Sequence, residues 1–200
     1  MPHLRQRRRG PGGTIEDMKV DSRGVAIGAL VCALMTGSVQ AQGAIAVTKN
    51  LGYLKRIDPI TDINTSYIVI FEVNDTEGET RLRIRCDDAG KPNVWGSLAT
   101  KNEILPEDPD DASTLIWPNV TVRLGTDSPF DFQAGELYSV TDTTKSIGFD
   151  GKSLDKVVAG LIAGKKLVIR LTGNQFRQPL TYTFSGQGFS TAWNSVKACK

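Results

Sequence analysis

The chain has 200 residues, with 24 Lys and Arg against 22 Asp and Glu and one histidine, His3, for a formal charge of +2 at pH 7. Residues 1–41 read as a leader, and no histidine lies beyond them. That excludes a Ser-His-Asp or Cys-His catalytic site in the rest of the chain and removes the commonest zinc ligand. The leader also holds most of the excess basic charge: residues 42–200 carry 18 basic and 19 acidic residues, so no bulk field favours nucleic acid or an anionic membrane.

In the leader, Arg23 precedes the apolar run GVAIGALVCALMTG, which is short for a membrane span. Ser38-Val39-Gln40-Ala41 follows, with small residues at −3 and −1 of a cut after Ala41. This pattern is a secretory signal peptide with Met18-Lys19 as its natural start. Residues 1–17 then read as a mis-called extension or a long n-region. Lipid attachment is not expected at Cys32, which has Ala29 and Val31 where Leu and Gly or Ala are required.

The exported protein reads as an exposed lead-in, residues 42–52, followed by a single β-rich domain, residues 53–200. It holds two cysteines, Cys86 and Cys199. An even count in an exported chain reads as one disulfide, which would contribute roughly 4–5 kcal/mol in the chain-entropy model. Two buried free thiols are the other reading.

Tyr67–Val73 is apolar at nearly every position and predicts a central strand. Asn74–Gly78 is a turn, and Thr80–Cys86 returns as a hairpin partner. Within it, RLRIRC alternates Arg81, Arg83 and Arg85 with Leu82, Ile84 and Cys86. Strand parity puts the arginines on one face and the cysteine on the other. Glu72, Glu77 and Glu79 are nearby acids able to pair with the arginines.

Asn93–Leu98 predicts a third strand, and Lys101–Ser113 an acidic loop. Asn119–Leu124 predicts a further strand begun at Pro118, and residues 136–149 one or two short ones. The period then becomes helical at Leu154, Val157, Val158 and Leu161, with Ser153 as N-cap and Gly164 as the stop. Lys166–Leu171 and Leu180–Ser185 are strands around a turn at Gly173-Asn174. Ser190–Lys197 is a short closing helix with Trp193 and Val196 turned inward. About six or seven strands and two short helices, the last C-terminal, define a mainly β fold: an antiparallel β-sandwich or an α+β sheet with helical cover.

Several motifs have ordinary explanations. Ser153-Leu154-Asp155-Lys156 matches S-x-x-K, but the partner motifs S-D-N and K-T-G are missing. Gly164-Lys165-Lys166 leads from helix to strand, the reverse of a phosphate loop. Asp108, Asp110 and Asp111 are candidate Ca²⁺ ligands, though their spacing matches no EF-hand. Trp95, Trp117 and Tyr138 are candidate platforms for a sugar or peptide, with core or edge packing as the simpler account. Asn64, Asn74 and Asn119 stand in N-x-[ST] sequons.

One ordered set of motifs goes further. Asp58-Pro59-Ile60-Thr61-Asp62 opens it, followed by Arg85-Cys86, a strand with Trp95, and Val120-Thr121-Val122-Arg123. Leu167–Arg170, the T-F-S-G run Thr183–Gly186, and a final helix ending at Cys199 complete it. Over roughly residues 53–199 the chain resembles the accessory proteins of type VI secretion loci called TagO or VasI. The resemblance implies a periplasmic or cell-envelope protein with Cys86 bonded to Cys199, and it implies no catalytic residues. The long acidic middle and extended N-terminus depart from the pattern.

The expectation is a non-enzymatic, exported, disulfide-clamped binding module. It would recognise a protein partner or a cell-wall component, with no nucleic acid and no cofactor. The alternative is a cell-wall or glycan hydrolase working through paired carboxylates. A third reading makes Arg81, Arg83 and Arg85 an anion-binding stripe.

Overall fold

The computed structural model describes residues 43–87, 93–105, 117–140 and 143–196. Residues 1–41, read above as a leader, the acidic cluster Asp108, Asp110 and Asp111, and Cys199 lie outside the described residues. What is described falls within one unit, Gln40–Lys200.

Five strands meander first: β1 (Ile45–Thr48), β2 (Leu51–Leu54), β3 (Tyr67–Phe71), β4 (Arg81–Asp87) and β5 (Asn93–Ala99). The chain then starts a second sheet with β6 (Asn119–Leu124) and β7 (Phe130–Asp131). It returns to the first through β8 (Leu137–Ser139) and β9 (Ser146–Phe149). Helix α1 (Gly151–Ile162) leads back to β10 (Leu167–Thr172) and β11 (Leu180–Phe184), and α2 (Phe189–Val196) closes the chain. The two antiparallel sheets have the orders β1-β2-β3-β4-β5-β9-β8 and β11-β10-β6-β7. Helix α1 packs on strands of both sheets, and α2 on β2 and β3.

The mainly β, antiparallel fold with a closing helix is what alternation predicted. Among the described residues eleven strands exceed the expected six or seven, because β1, β2 and β7–β9 have two to four residues each. Such strands are too short to show a period of two. The expected lead-in also differs: residues 45–54 form the β1–β2 hairpin, and Leu51 enters the core at 2% exposure.

Both sheets and both helices contribute to one apolar core. From β4 it takes Leu82, Ile84 and Cys86, and from β3 Ile68 and Ile70. The second sheet adds Val120, Val122, Leu167, Ile169 and Leu171, and the helices add Leu154, Leu161, Phe189 and Val196. Two polar ties join distant segments. The buried Asn64 Nδ2 donates to the Val196 carbonyl at 2.8 Å, fixing the chain before β3 to the end of α2. The Glu72 carboxylate accepts from the backbone N–H of Asn74 and of Thr183, and Val73 N–H donates to the Thr183 carbonyl. Thr183 lies on β11, the edge of the second sheet, so these bonds cover an edge that would otherwise offer unpaired groups.

The start of α1 is capped from a distance. Ser153, the predicted N-cap, lies inside the helix, and the N-cap residue Asp150 makes no side-chain cap bond. Instead Glu136, in the 3-10 turn Ala134–Glu136, accepts from the Ser153 N–H at 3.0 Å. Burial pushes the Glu136 carboxyl up. The Ser153 hydroxyl and the N–H groups of Gln133, Ser153 and Lys152 outweigh that and hold it below the ordinary glutamate value. At the other end Gly164 has φ 74, Gly164 N–H bonds the Leu161 carbonyl and Lys165 N–H the Gly160 carbonyl. This is a Schellman stop, which needs a left-handed residue at Gly164.

Candidate functional site: an arginine–aromatic face

The outer face of the first sheet is set by register. In antiparallel pairing, residues directly opposite share a face. Arg85 is flanked by Tyr67 on β3 and Trp95 on β5, Arg83 by Val69 and Ser97, and Arg81 by Phe71 and Ala99. None of these neighbours is acidic. Arg83 and Arg85 are exposed, whereas Leu82, Ile84 and Cys86 are at most 2% exposed.

Two of the guanidinium groups lie against rings. The Arg83 guanidinium carbon is 4.7 Å from the Tyr67 ring centroid, and that of Arg85 is 5.9 Å from the Trp95 ring. Trp95 in turn meets Tyr138 edge to face at 5.3 Å. Such contacts hold a cation over a π face and leave the guanidinium N–H edge available to an oxyanion. Tyr138, on β8, lies over Gly148: a Cβ there would stand 2.0 Å from the ring. Its hydroxyl donates to the Gly96 carbonyl at 3.1 Å. Burial pushes the Tyr138 phenol up to about 12, against the opposing pull of the Arg85 charge. It therefore stays protonated at neutral pH. The Trp95 indole N–H is buried without an acceptor among the described residues.

The arginines divide two adjoining concavities. One, of about 280 Å³, is walled by Arg83, Arg85, Trp95, Ser97 and Tyr138. The other, of about 620 Å³, lies between Arg83, Arg85 and Tyr67 and the loop that begins at Arg56. That loop is stiff. Ile57 and Asn64 form an antiparallel bridge, Asp58 N–H bonds the Ile63 carbonyl and Thr65 N–H the Arg56 carbonyl. The Asp58 carboxylate accepts from the N–H groups of Thr61 and Ile60, and these bonds hold its pKa below the ordinary value. Asp62 sits at φ 57, a left-handed conformation that Asp adopts more readily than most residues.

The expected ion pairs do not form. Among the described residues the ion pair within 4.0 Å is Lys165–Asp127, far along the chain. Glu72 is buried and engaged with Asn74 and Thr183. Glu77 and Glu79 lie in the turn before β4 and reach no arginine.

Of the predicted aromatics, Trp95 and Tyr138 come together in this site. Trp117 stands before β6 of the second sheet and packs partly buried on the core. Tyr67 and Arg56 belong to the site and were not singled out by the sequence reading. Parity could have placed Tyr67 on an outward face, but only register puts it beside Arg85. Among the described residues no group of three or more His, Cys, Asp or Glu side chains is placed to hold a metal ion. Ser153 turns to Glu136 while Lys156 lies 5.3 Å from the Phe130 ring, so the S-x-x-K pair does not assemble. Lys165, of the glycine–lysine turn, is engaged by Asp127 at 2.7 Å.

Fold and site together define a class: a mainly β protein of two antiparallel sheets that presents a row of ring-backed arginines on the outer face of the larger sheet. No family model and no curated protein matches the chain. Among solved structures it is similar to invasion associated protein B from Bartonella henselae, at 17% identity and a TM-score of 0.46, covering 72% of this chain and 91% of that one. A likeness of that degree assigns no function to this chain, and none of these comparisons names a type VI secretion protein.

Proposed function

We propose that the chain is a non-enzymatic, exported cell-envelope protein, a β-rich binding module whose arginine–aromatic face recognises oxyanion groups of an envelope component. The observation that carries this reading is that Arg83 and Arg85 are exposed and backed by rings, yet have no carboxylate within 4.0 Å among the described residues. An acid directly across the strand would stabilise such arginines by roughly 0.2–1 kcal/mol. Here the register supplies only apolar, aromatic and hydroxyl neighbours, which leaves the guanidinium groups for a ligand.

The hydrolase alternative asks for two carboxylates in one cleft, one with a raised pKa. Among the described residues the Arg56-side concavity holds Asp58 and no second carboxylate, and Asp58, Asp75 and Glu136 are all shifted downward. No observation favours that reading.

The test is binding of short-chain inorganic polyphosphate to residues 42–200. Affinity should fall steeply with salt, because the exposed charges are screened over about 8 Å at physiological ionic strength. The Arg83→Ala/Arg85→Ala protein should bind at least about tenfold more weakly. Equal binding by the wild type and the double variant would remove the reading.

The proposal includes a clamp between Cys86 and Cys199. Support comes from Cys86, which is buried at the end of β4 and disulfide-bonded, and from α2, whose end is tied to Asn64 three residues before Cys199. Unfolded and unreduced, residues 42–200 should titrate no free thiol, and two free thiols would dispose of the clamp. A place beside a type VI apparatus is the narrower form of the proposal. It rests on the resemblance of the ordered motifs, and a gene neighbourhood lacking such an apparatus would remove it.

A further inference from the structure

Six large apolar side chains stand exposed among the described residues, and three of them, Ile57, Ile60 and Ile63, belong to one loop. Ile60 is 91% exposed, the most of the six. Its position is not a consequence of slack chain. The Asp58 carboxylate receives the N–H of Ile60 and of Thr61, Asp62 N–H bonds the Asp58 carbonyl, and the Ile57–Asn64 bridge closes the base. A braced turn therefore holds an isoleucine out in water, where folding gains almost nothing from its burial.

The same loop walls the larger concavity. Arg56, Ile57, Pro59 and Ile63 face Tyr67, Arg83 and Arg85 across it. Apolar residues of the loop and the unpaired guanidinium groups thus line one groove, and Ile60 projects from the same loop. Nearby charges are Lys55, Arg56, Arg83 and Arg85 against Asp58 and Asp62, and the Asp58 carboxylate is already occupied by backbone donors. A cationic groove beside a projecting apolar residue matches one kind of surface, in which phosphate oxyanions lie next to hydrocarbon.

We infer that this end of the molecule docks on an anionic phospholipid bilayer. Arg56, Arg83 and Arg85 would receive a lipid phosphate in the groove while Ile60 enters the boundary between headgroups and acyl chains. The inference rests on the oxyanion-binding reading above and adds the lipid surface and the loop. With 18 cations and 19 anions beyond the leader, the chain has no long-range attraction to such a surface, so the contact is local and salt-sensitive. No helix among the described residues is long and apolar enough to cross a membrane, so the mode proposed is surface attachment.

The core lies within Gln40–Lys200, so residues 42–200 serve for the test. Cosedimentation would use vesicles of phosphatidylcholine with one quarter phosphatidylglycerol, vesicles of phosphatidylcholine alone, and polyphosphate as the soluble oxyanion. The wild type should partition to the anionic vesicles and not to the neutral ones. Ile60→Ser should weaken that partition about tenfold and leave polyphosphate binding unchanged. Arg83→Ala/Arg85→Ala should lose both. If Ile60→Ser partitions like the wild type, or if the wild type binds polyphosphate but not the anionic vesicles, bilayer docking is overturned and the oxyanion reading stands. If the double arginine variant keeps both activities, both fall together.

Discussion

Gly186→Ala should lower the stability of the fold by about 3 kcal/mol, as expected when a core is overpacked against atoms that cannot yield. Gly186 lies between β11 and α2, where the chain passes the Schellman stop of α1. An added Cβ would stand 2.3 Å from the Lys165 carbonyl oxygen and 2.8 Å from the Gly164 carbonyl carbon. Both are backbone atoms. They are held by hydrogen bonds from Gly164 to Leu161, from Lys165 to Gly160, and from Gly125 to Lys166. Relieving the clash means moving α1 away from the sheets or shifting the start of α2, whose Phe189 is fully buried. Urea unfolding of residues 42–200 would read the effect as a lower midpoint at similar slope. A midpoint equal to that of the wild type would show that this approach is not tight. The result would also explain the glycine of the T-F-S-G run, which the sequence offers only as a pattern.

Glu72→Ala should cost about 2–3 kcal/mol, the range for buried hydrogen bonds to a charged group. Glu72 is 6% exposed, and its two oxygens accept from Asn74 N at 2.7 Å, Asn74 Nδ2 at 3.1 Å and Thr183 N at 3.1 Å. Truncation leaves the Thr183 and Asn74 amides short of an acceptor. The larger consequence is for the architecture, because Thr183 stands on the edge strand of the second sheet and Glu72 follows β3 of the first. Glu72→Gln keeps one acceptor oxygen and should lose roughly half as much. Hydrogen exchange gives the local readout: the Thr183 amide should lose protection in the alanine variant more than amides of β4 do. If both variants unfold within about 0.5 kcal/mol of the wild type, the carboxylate is not a structural tie.

Much of the fold was legible because β-strand alternation is a local property. RLRIRC had to send Leu82, Ile84 and Cys86 one way and the arginines the other, and the buried and exposed faces of β4 follow that parity. Helix α1 was equally plain from Leu154, Val157, Val158 and Leu161, as was its stop at Gly164. Its N-terminal cap was not, because the acceptor is Glu136, in a turn before β8. The hairpin of β1 and β2 escaped notice because four residues give too few repeats of a two-residue period.

The sequence by itself determined a mainly β chain with a closing helix, a basic row on one strand, and no histidine after His3. Each follows from composition or from the pleat and turn of a single segment, which adjacent residues decide. Only the tertiary structure decided what the basic row meets. Whether an arginine meets a glutamate or a ring depends on which residues the neighbouring strands place opposite it. That register is set by hydrogen-bond pairing across the sheet and by the burial of Ile68, Ile84 and Leu98 on the other side. It put Tyr67 and Trp95 beside Arg85, sent Glu72 to the second sheet, and brought the Arg56–Thr65 loop up to the arginines.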